Sequence, residues 1–182
     1  MKMFVGPAPH PFVGPAPHPA GEPAAVSPDG LRDAMRELAC GVALATTCHE
    51  GLRAGCVVSS FASLSLTPPT MLVCLNATSA TLRAVESSGV FALNILAGHH
   101  EGLARRFADP ALASQRFAQG GWGALETGAP ALHDALAVID CRLERLVPHA
   151  THVILIGATL GVARGPAAPA LVHRHGRFGV LS

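Results

Sequence analysis

Residues 55–75 read GCVVSSFASLSLTPPTMLVCL, two apolar runs joined by an alternating segment and a double proline. In SFASLSL (60–66), Ala62, Leu64 and Leu66 alternate with Ser63 and Ser65, the period-two pattern of a half-buried strand. This reading sets the three apolar residues against the core. Prolines 68 and 69 end the strand, because proline offers no ladder N–H. TMLVCLN (70–76) then returns as a fully apolar strand. Buried hydroxyls are costly unless each finds a partner, so Ser59, Ser60, Ser63 and Ser65 either line a wet strand or meet a polar ligand.

Upstream, VALATTC (42–48) and AGCVVSS (54–60) flank HEGLR and read as a β-hairpin. Before them, LRDAMRELACG spaces Leu31, Met35 and Leu38 as one helical face with a glycine stop, placing the start of the domain near Asp29. Downstream, SATLRAVESSG (79–89) reads as a short helix, VFALNIL (90–96) as a strand, and HHEGLARRFAD (99–109) as a helix with Leu103 and Phe107 on one face. A loop carries the only tryptophan, Trp122. ALAVIDCRLERLV (135–147) and HVILIGATLGVAR (152–164) stand at hairpin distance, and LVHRHGRFGVL (171–181) supplies one or two closing strands. The expected fold is mostly β, a closed and largely antiparallel barrel with peripheral helices. Residues 1–28 are expected to be a flexible tail, because FVGPAPHP occurs twice in succession at 4–19.

The 182 residues fit one domain, and a 49% hydrophobic, 14% charged composition implies apolar surface covered by another subunit. A net charge of +1 with a single lysine gives no field for nucleic acid or an anionic membrane. No apolar run approaches the ~18 residues of a membrane span, and the N-terminus lacks a secretory h-region. Five cysteines without a CxxC pair read as reduced and buried thiols, which points to a cytoplasmic protein.

Several chemistries are weakly supported. His173 and His175, or His149 and His152, lack a third ligand at metal-binding spacing. Cys48 and His49 are adjacent, so a strand points them to opposite faces. No GxGxxG, Walker or GxSxG motif is present, which leaves any redox chemistry to a cofactor.

The order of segments resembles the short-chain flavin reductases, FMN-binding split-barrel proteins that serve two-component monooxygenases. The resemblance is carried by CGVALATT (40–47), the 55–75 stretch, NATSAT (76–81), SGVFALNIL (88–96), LARRFA (103–108), GAPALHDALAVIDCRLE (128–144), His152 to Gly157, and LVHRHGRF (171–178). It covers residues 29–182 and implies a homodimeric split barrel that reduces FMN or FAD with NADH or NADPH. The reduced flavin would then pass to a flavin-dependent monooxygenase.

By the same resemblance, the backbone of Gly55, Cys56 and Val57 meets the ring edge, and Ser59 and Ser60 contact the ring and ribityl chain. Cys74, Leu75 and Asn76 belong to the next strand's contribution, Ser79 and Thr81 to the phosphate, and Arg106 and Phe107 to a pair near the flavin. His152 and His173 are the implied nicotinamide contacts. No catalytic acid or base and no metal is implied, since hydride passes between two stacked rings. The chain departs from the family where Ala77, Thr78 and Ala80 stand in place of a common Lys or Arg, so Arg83 or Arg106 must compensate or flavin binds weakly. It departs again at Cys40 (commonly Thr) and His173 (commonly aromatic). Two alternatives stay open at this point. One is a tightly held flavin that reduces a different acceptor; the other is a non-enzymatic flavin-binding module whose proline-rich arm docks a partner.

Overall fold

The computed structural model describes residues 26–182; the duplicated FVGPAPHP segment lies outside them. Helix α1 (Pro28–Arg36) opens the described chain, with Ser27 Oγ accepting from Gly30 N–H. Strands β1 (Cys40–Gly41), β2 (Ala43–His49), β3 (Leu52–Val58), β4 (Phe61–Leu66) and β5 (Pro69–Asn76) follow. Helix α2 (Ala80–Ser88), β6 (Val90–Ile95) and α3 (Glu101–Ala108) come next, then a small hairpin of β7 (Trp122–Ala124) and β8 (Pro130–Leu132). The chain ends with β9 (Ala137–His149), β10 (His152–Arg164), β11 (Ala170–Arg174) and β12 (Arg177–Leu181).

Seven antiparallel strands form the main sheet in the order β3-β2-β6-β9-β10-β5-β4, and β1-β11-β12 form a smaller one. The β2–β3 hairpin closes as the sequence predicts. Glu50 (φ 50°) and Gly51 (φ 80°) occupy its two-residue turn, and two left-handed residues match the twist of the paired strands. The sheet curls until β3 and β5, far apart in the hydrogen-bonding order, touch. No ladder joins β3 to β4 among the described residues, so the sheet is the split barrel that the resemblance implies and not the closed barrel that the strand pattern alone suggested.

Both faces of β2 and β6 are covered. Leu44 and Ala92 join a core with Leu103, Phe107 and Leu132 on the α3 side, while Ala43, Ala45, Phe91 and Leu93 join Val73, Leu82, Val85 and Leu155 on the α2 side. A strand buried on both faces needs no polar alternation, which is why VALATTC and VFALNIL are nearly continuous apolar runs. On the α3 side, the buried Asn94 ties β6 to β2 and β8. Its Oδ1 accepts from Leu132 N–H at 2.7 Å, and its Nδ2 donates to Thr46 Oγ1 at 3.0 Å.

Two expectations fail on burial. Ala62, Leu64 and Leu66 do not anchor β4 in the core; all three are exposed, with Leu66 at 82%. A bulge between Ser63 and Ser65 shifts the register, and Phe61 and Ser65 are the half-buried positions instead. Of the cysteines read as buried, only Cys141 is; Cys40, Cys48, Cys56 and Cys74 are half-buried free thiols.

Candidate functional site

Where β3 meets β5, the chain leaves a cavity of about 290 Å³ lined by Cys56, Val57, Val58, Ser59, Ser60, Cys74, Leu75, Asn76, Ser79 and His152. A second cavity, about 300 Å³ and mostly apolar, continues from it along Val57, Val58 and Ser59 to Val42, Ala108, His173 and Phe178. A third of about 350 Å³ shares Ser59, Ser60 and His173 and runs under α1 to Arg36, Leu38 and His175. The three make one continuous groove with an apolar middle and a polar end, the lining a flat aromatic ring with a polar tail requires.

The polar end is built by a turn and a helix start. Asn76 Oδ1 accepts from Thr78 N–H (2.8 Å) and Thr78 Oγ1 (2.7 Å), which folds residues 76–79 back toward the cavity. Ser79 caps α2, its Oγ accepting from Thr81 N–H at 3.1 Å and Leu82 N–H at 3.4 Å. The helix start therefore offers less free N–H than the sequence implied, since Ser79 takes two of the groups itself. Arg83 extends Nη1 to Thr78 O at 3.0 Å, which brings its guanidinium back over this turn. A phosphate there would meet the Ser79 hydroxyl, the positive end of α2 and the Arg83 charge.

Most residues implied by the resemblance gather in the groove: Cys56, Val57, Ser59, Ser60, Cys74, Leu75, Asn76, Ser79 and His152 in the first cavity, His173 in the next. Others do not. Thr81 is 1% exposed, beneath the groove, where its hydroxyl neighbours the Cys56 thiol. Phe107 is a core residue, 1% exposed, with its ring 5.1 Å from Phe117 and 5.9 Å from Trp122. Arg106, on the same helix, is half-buried and lines none of the three cavities.

Gly55 is buried behind the groove wall. An added Cβ would lie 2.9 Å from Phe107 Cε1 and 3.0 Å from Ala45 O, so only glycine lets β3 seat this close. Its carbonyl accepts from Arg116 Nη1 at 2.8 Å. Nothing in the sequence marked Arg116, which sits 61 positions away in an irregular segment. His152 lines the first cavity and His173 the other two. His173 instead pairs with Phe178, edge to face at 5.5 Å, and Arg105 lies over the Phe178 ring at 5.1 Å.

Burial pushes the Cys56 thiol up, against the pull of the Thr81 hydroxyl and the Arg116 charge. The thiol in the groove wall is thus held neutral at physiological pH and presents a soft, uncharged surface to a ring.

His99, His100 and Asp134 cluster away from the groove with their ligand atoms within 4.8 Å of one another. Ala97 N–H donates to His100 Nδ1 at 3.1 Å, which keeps the ring proton on Nε2, 3.1 Å from Asp134 Oδ1. A metal would need that Nε2 lone pair, so the trio works as a brace joining the start of α3 to the β8–β9 connection.

The flavin reductase like domain family matches residues 35–182, from the end of α1 to the last residue of the described fold. The chain belongs to the flavin reductase family. It is 41% identical over 150 residues to the FMN reductase (NADH) RutF of Agrobacterium fabrum, covering 82% of this chain and 86% of the relative. It is also 41% identical over 162 residues to FMN reductase (NADH) RutF 2 of Methylorubrum extorquens, covering 89% and 94%. Among solved structures, this flavin reductase superposes on BorF, the flavin reductase component of a bacterial two-component tryptophan halogenase, with a TM-score of 0.79 at 30% identity over 85% of this chain and 98% of that one. The NADH:FAD oxidoreductase SgcE6 of Streptomyces globisporus, solved with NAD and FAD fragments, gives 0.79 at 28% identity over 88% and 98%.

Proposed function

We propose that this chain reduces free FMN with NADH and releases the reduced flavin to a partner monooxygenase, with FAD and NADPH as secondary substrates. The observation that carries the reading is the continuous groove, whose polar end is a capped helix start and whose middle is apolar. Bound flavin supplies the electron-accepting ring, to which a nicotinamide delivers a hydride and departs oxidised.

The residues divide this work. Ser79 and Arg83 hold the phosphate; Ser59 and Ser60 meet the ribityl chain; the backbone of Cys56 and Val57 meets the pyrimidine edge. His173 and Phe178 form the platform that presses the nicotinamide onto the flavin, excluding water from the gap between the rings. Gly55, Thr81 and Phe107 act from behind, seating β3 and α2. No residue need give or take a proton for the transfer itself, since hydride passes between two stacked rings.

Ser59, Ser60 and Asn76 are solvent-exposed along the groove, which favours an exchanging flavin over a trapped one. The exposed Leu64, Leu66, Leu160 and Val162 of β4 and β10 form an apolar face fit for a second copy, so the working unit is a homodimer. Five free thiols fit a cytoplasmic setting.

Stopped-flow mixing of the protein, FMN and NADH tests the reading directly. The oxidised-flavin absorbance should bleach at a rate proportional to enzyme, and oxygen should restore it. No bleaching with either nicotinamide would refute it, and a flavin retained through gel filtration would refute its exchange. Sedimentation equilibrium tests the dimer.

A further inference from the structure

Arg116 is a cation without a counter-ion at the back of the groove. Its Nη1 donates to Gly55 O at 2.8 Å and its Nη2 reaches Asp109 O at 3.4 Å, both of them backbone carbonyls. Its Nε is shielded from solvent and has no hydrogen-bond partner among the described residues. Arg105, Arg174 and Arg36 are paired, with Glu101, Glu37 and Asp33. Arg106 shares the shielded, unpartnered Nε and the lack of an ion pair among the described residues, so the bond to Gly55 is what sets Arg116 apart. No carboxylate forms an ion pair with Arg116 among the described residues, and the Asp109 carboxylate is spent on Ala111 N–H. Keeping a partly buried guanidinium unpaired costs free energy unless negative charge arrives from elsewhere.

The residue it grips decides where that charge would be. Gly55 directly precedes Cys56 and Val57, which line the groove, so Arg116 stands one residue behind the wall. Its charge is felt at the Cys56 sulfur, in the wall itself.

We propose that Arg116 is a positioning residue that favours reduced flavin over oxidised flavin, its guanidinium facing the pyrimidine end of the ring through β3. This rests on the functional reading above. Hydride transfer takes two electrons and one hydrogen nucleus from a neutral dihydronicotinamide ring, leaving that ring cationic and the flavin anionic, with the flavin charge centred on its pyrimidine side. A fixed positive charge there stabilises the product state and leaves the neutral oxidised ring nearly untouched. Arg106, which the sequence pointed to, makes no such bond to the groove strand.

The test uses the full chain and the substitutions Arg116→Gln and Arg116→Lys. Affinities for oxidised FMN in air and for reduced FMN under anaerobic conditions are measured by fluorescence and equilibrium dialysis. The ratio of reduced to oxidised affinity should fall about tenfold or more in Arg116→Gln and stay within about threefold of wild type in Arg116→Lys, which keeps the charge and loses the fork. Without any flavin, the pH profile of iodoacetamide labelling at Cys56, read by peptide mass spectrometry, should move upward in Arg116→Gln only. A folded Arg116→Gln with an unchanged ratio overturns the proposal while leaving the function intact. If Arg116→Gln does not fold, a folded Arg116→Lys that loses the ratio overturns it equally. Wild type that binds neither form of FMN overturns the functional reading, and the proposal with it.

Discussion

Replacing Ser79 by alanine separates the two tasks assigned to that hydroxyl. As a helix cap it accepts from Thr81 N–H and Leu82 N–H at 3.1 and 3.4 Å. Losing a cap of this kind costs about 1 kcal/mol, which in a domain of this size lowers Tm by about 2–4 °C. As a phosphate ligand it donates its own proton to a charged group, an interaction of about 1.5–3 kcal/mol, or roughly 10- to 100-fold in affinity. The two N–H groups released by the substitution turn toward the phosphate and recover part of this, so FMN should weaken by about tenfold, near the lower bound. Riboflavin carries the same ring and ribityl chain without phosphate, and its affinity should change less than about twofold. Fluorescence titration of both flavins against both proteins, with a thermal melt of each, reads all four quantities. Equal weakening of riboflavin and FMN would show that Ser79 acts through the shape of the groove. Unchanged FMN binding beside the expected fall in Tm would remove the phosphate from the helix start altogether.

Ser60→Ala should raise the half-saturating FMN concentration more than Ser65→Ala in steady-state assays. Ser60 lines the groove while Ser65 Oγ accepts from Thr67 N–H in the β4–β5 turn, and equal effects would undo the distinction. Gly157→Ala should lower Tm by roughly 2–12 °C in a thermal melt, because its Cβ would lie 2.6 Å from a Phe91 ring that has no exposed surface to yield into; an unchanged melt would show that ring to be mobile. For His100, burial pulls the imidazole pKa down against the opposing pull of Asp134, so the native ring is neutral. Its contribution to stability is complete above the unfolded-state pKa of about 6.5 and is lost as pH falls below it. The fall in Tm between neutral and mildly acidic buffer should therefore be smaller in His100→Gln, and an equal fall would place the acid sensitivity elsewhere.

Much of the fold was legible because the signals are local. A two-residue turn at Glu50-Gly51, a serine cap at 79 with a left-handed glycine at 89, and period-two strands all act over a few residues. The groove was legible as well, since consecutive residues of β3 and β5 build most of it. Alternation divides a strand into two faces but does not say which one the protein covers, and β4 shows the consequence: Leu64 and Leu66 read as core and face outward. Phe107 and Arg106 failed for a related reason. Helical spacing places Phe107 toward β3 but does not say on which side of that strand it packs. Its ring lies behind Gly55, in the core with Phe117 and Trp122, and Arg106 beside it reaches none of the cavities. Arg116 was invisible because its bond to Gly55 spans 61 positions with no periodic pattern between them. The open seam of the barrel depends on how far seven strands coil, a property of the whole sheet that no segment carries alone.

Ser59 is the single residue that borders all three cavities. Whatever lies across it touches the lining of all three. On the proposed reading, a flavin seated toward the α2 end and a dinucleotide entering from the α1 end would meet at this residue. One small side chain, set at the junction of an open trench, would then be the wall that both occupants share.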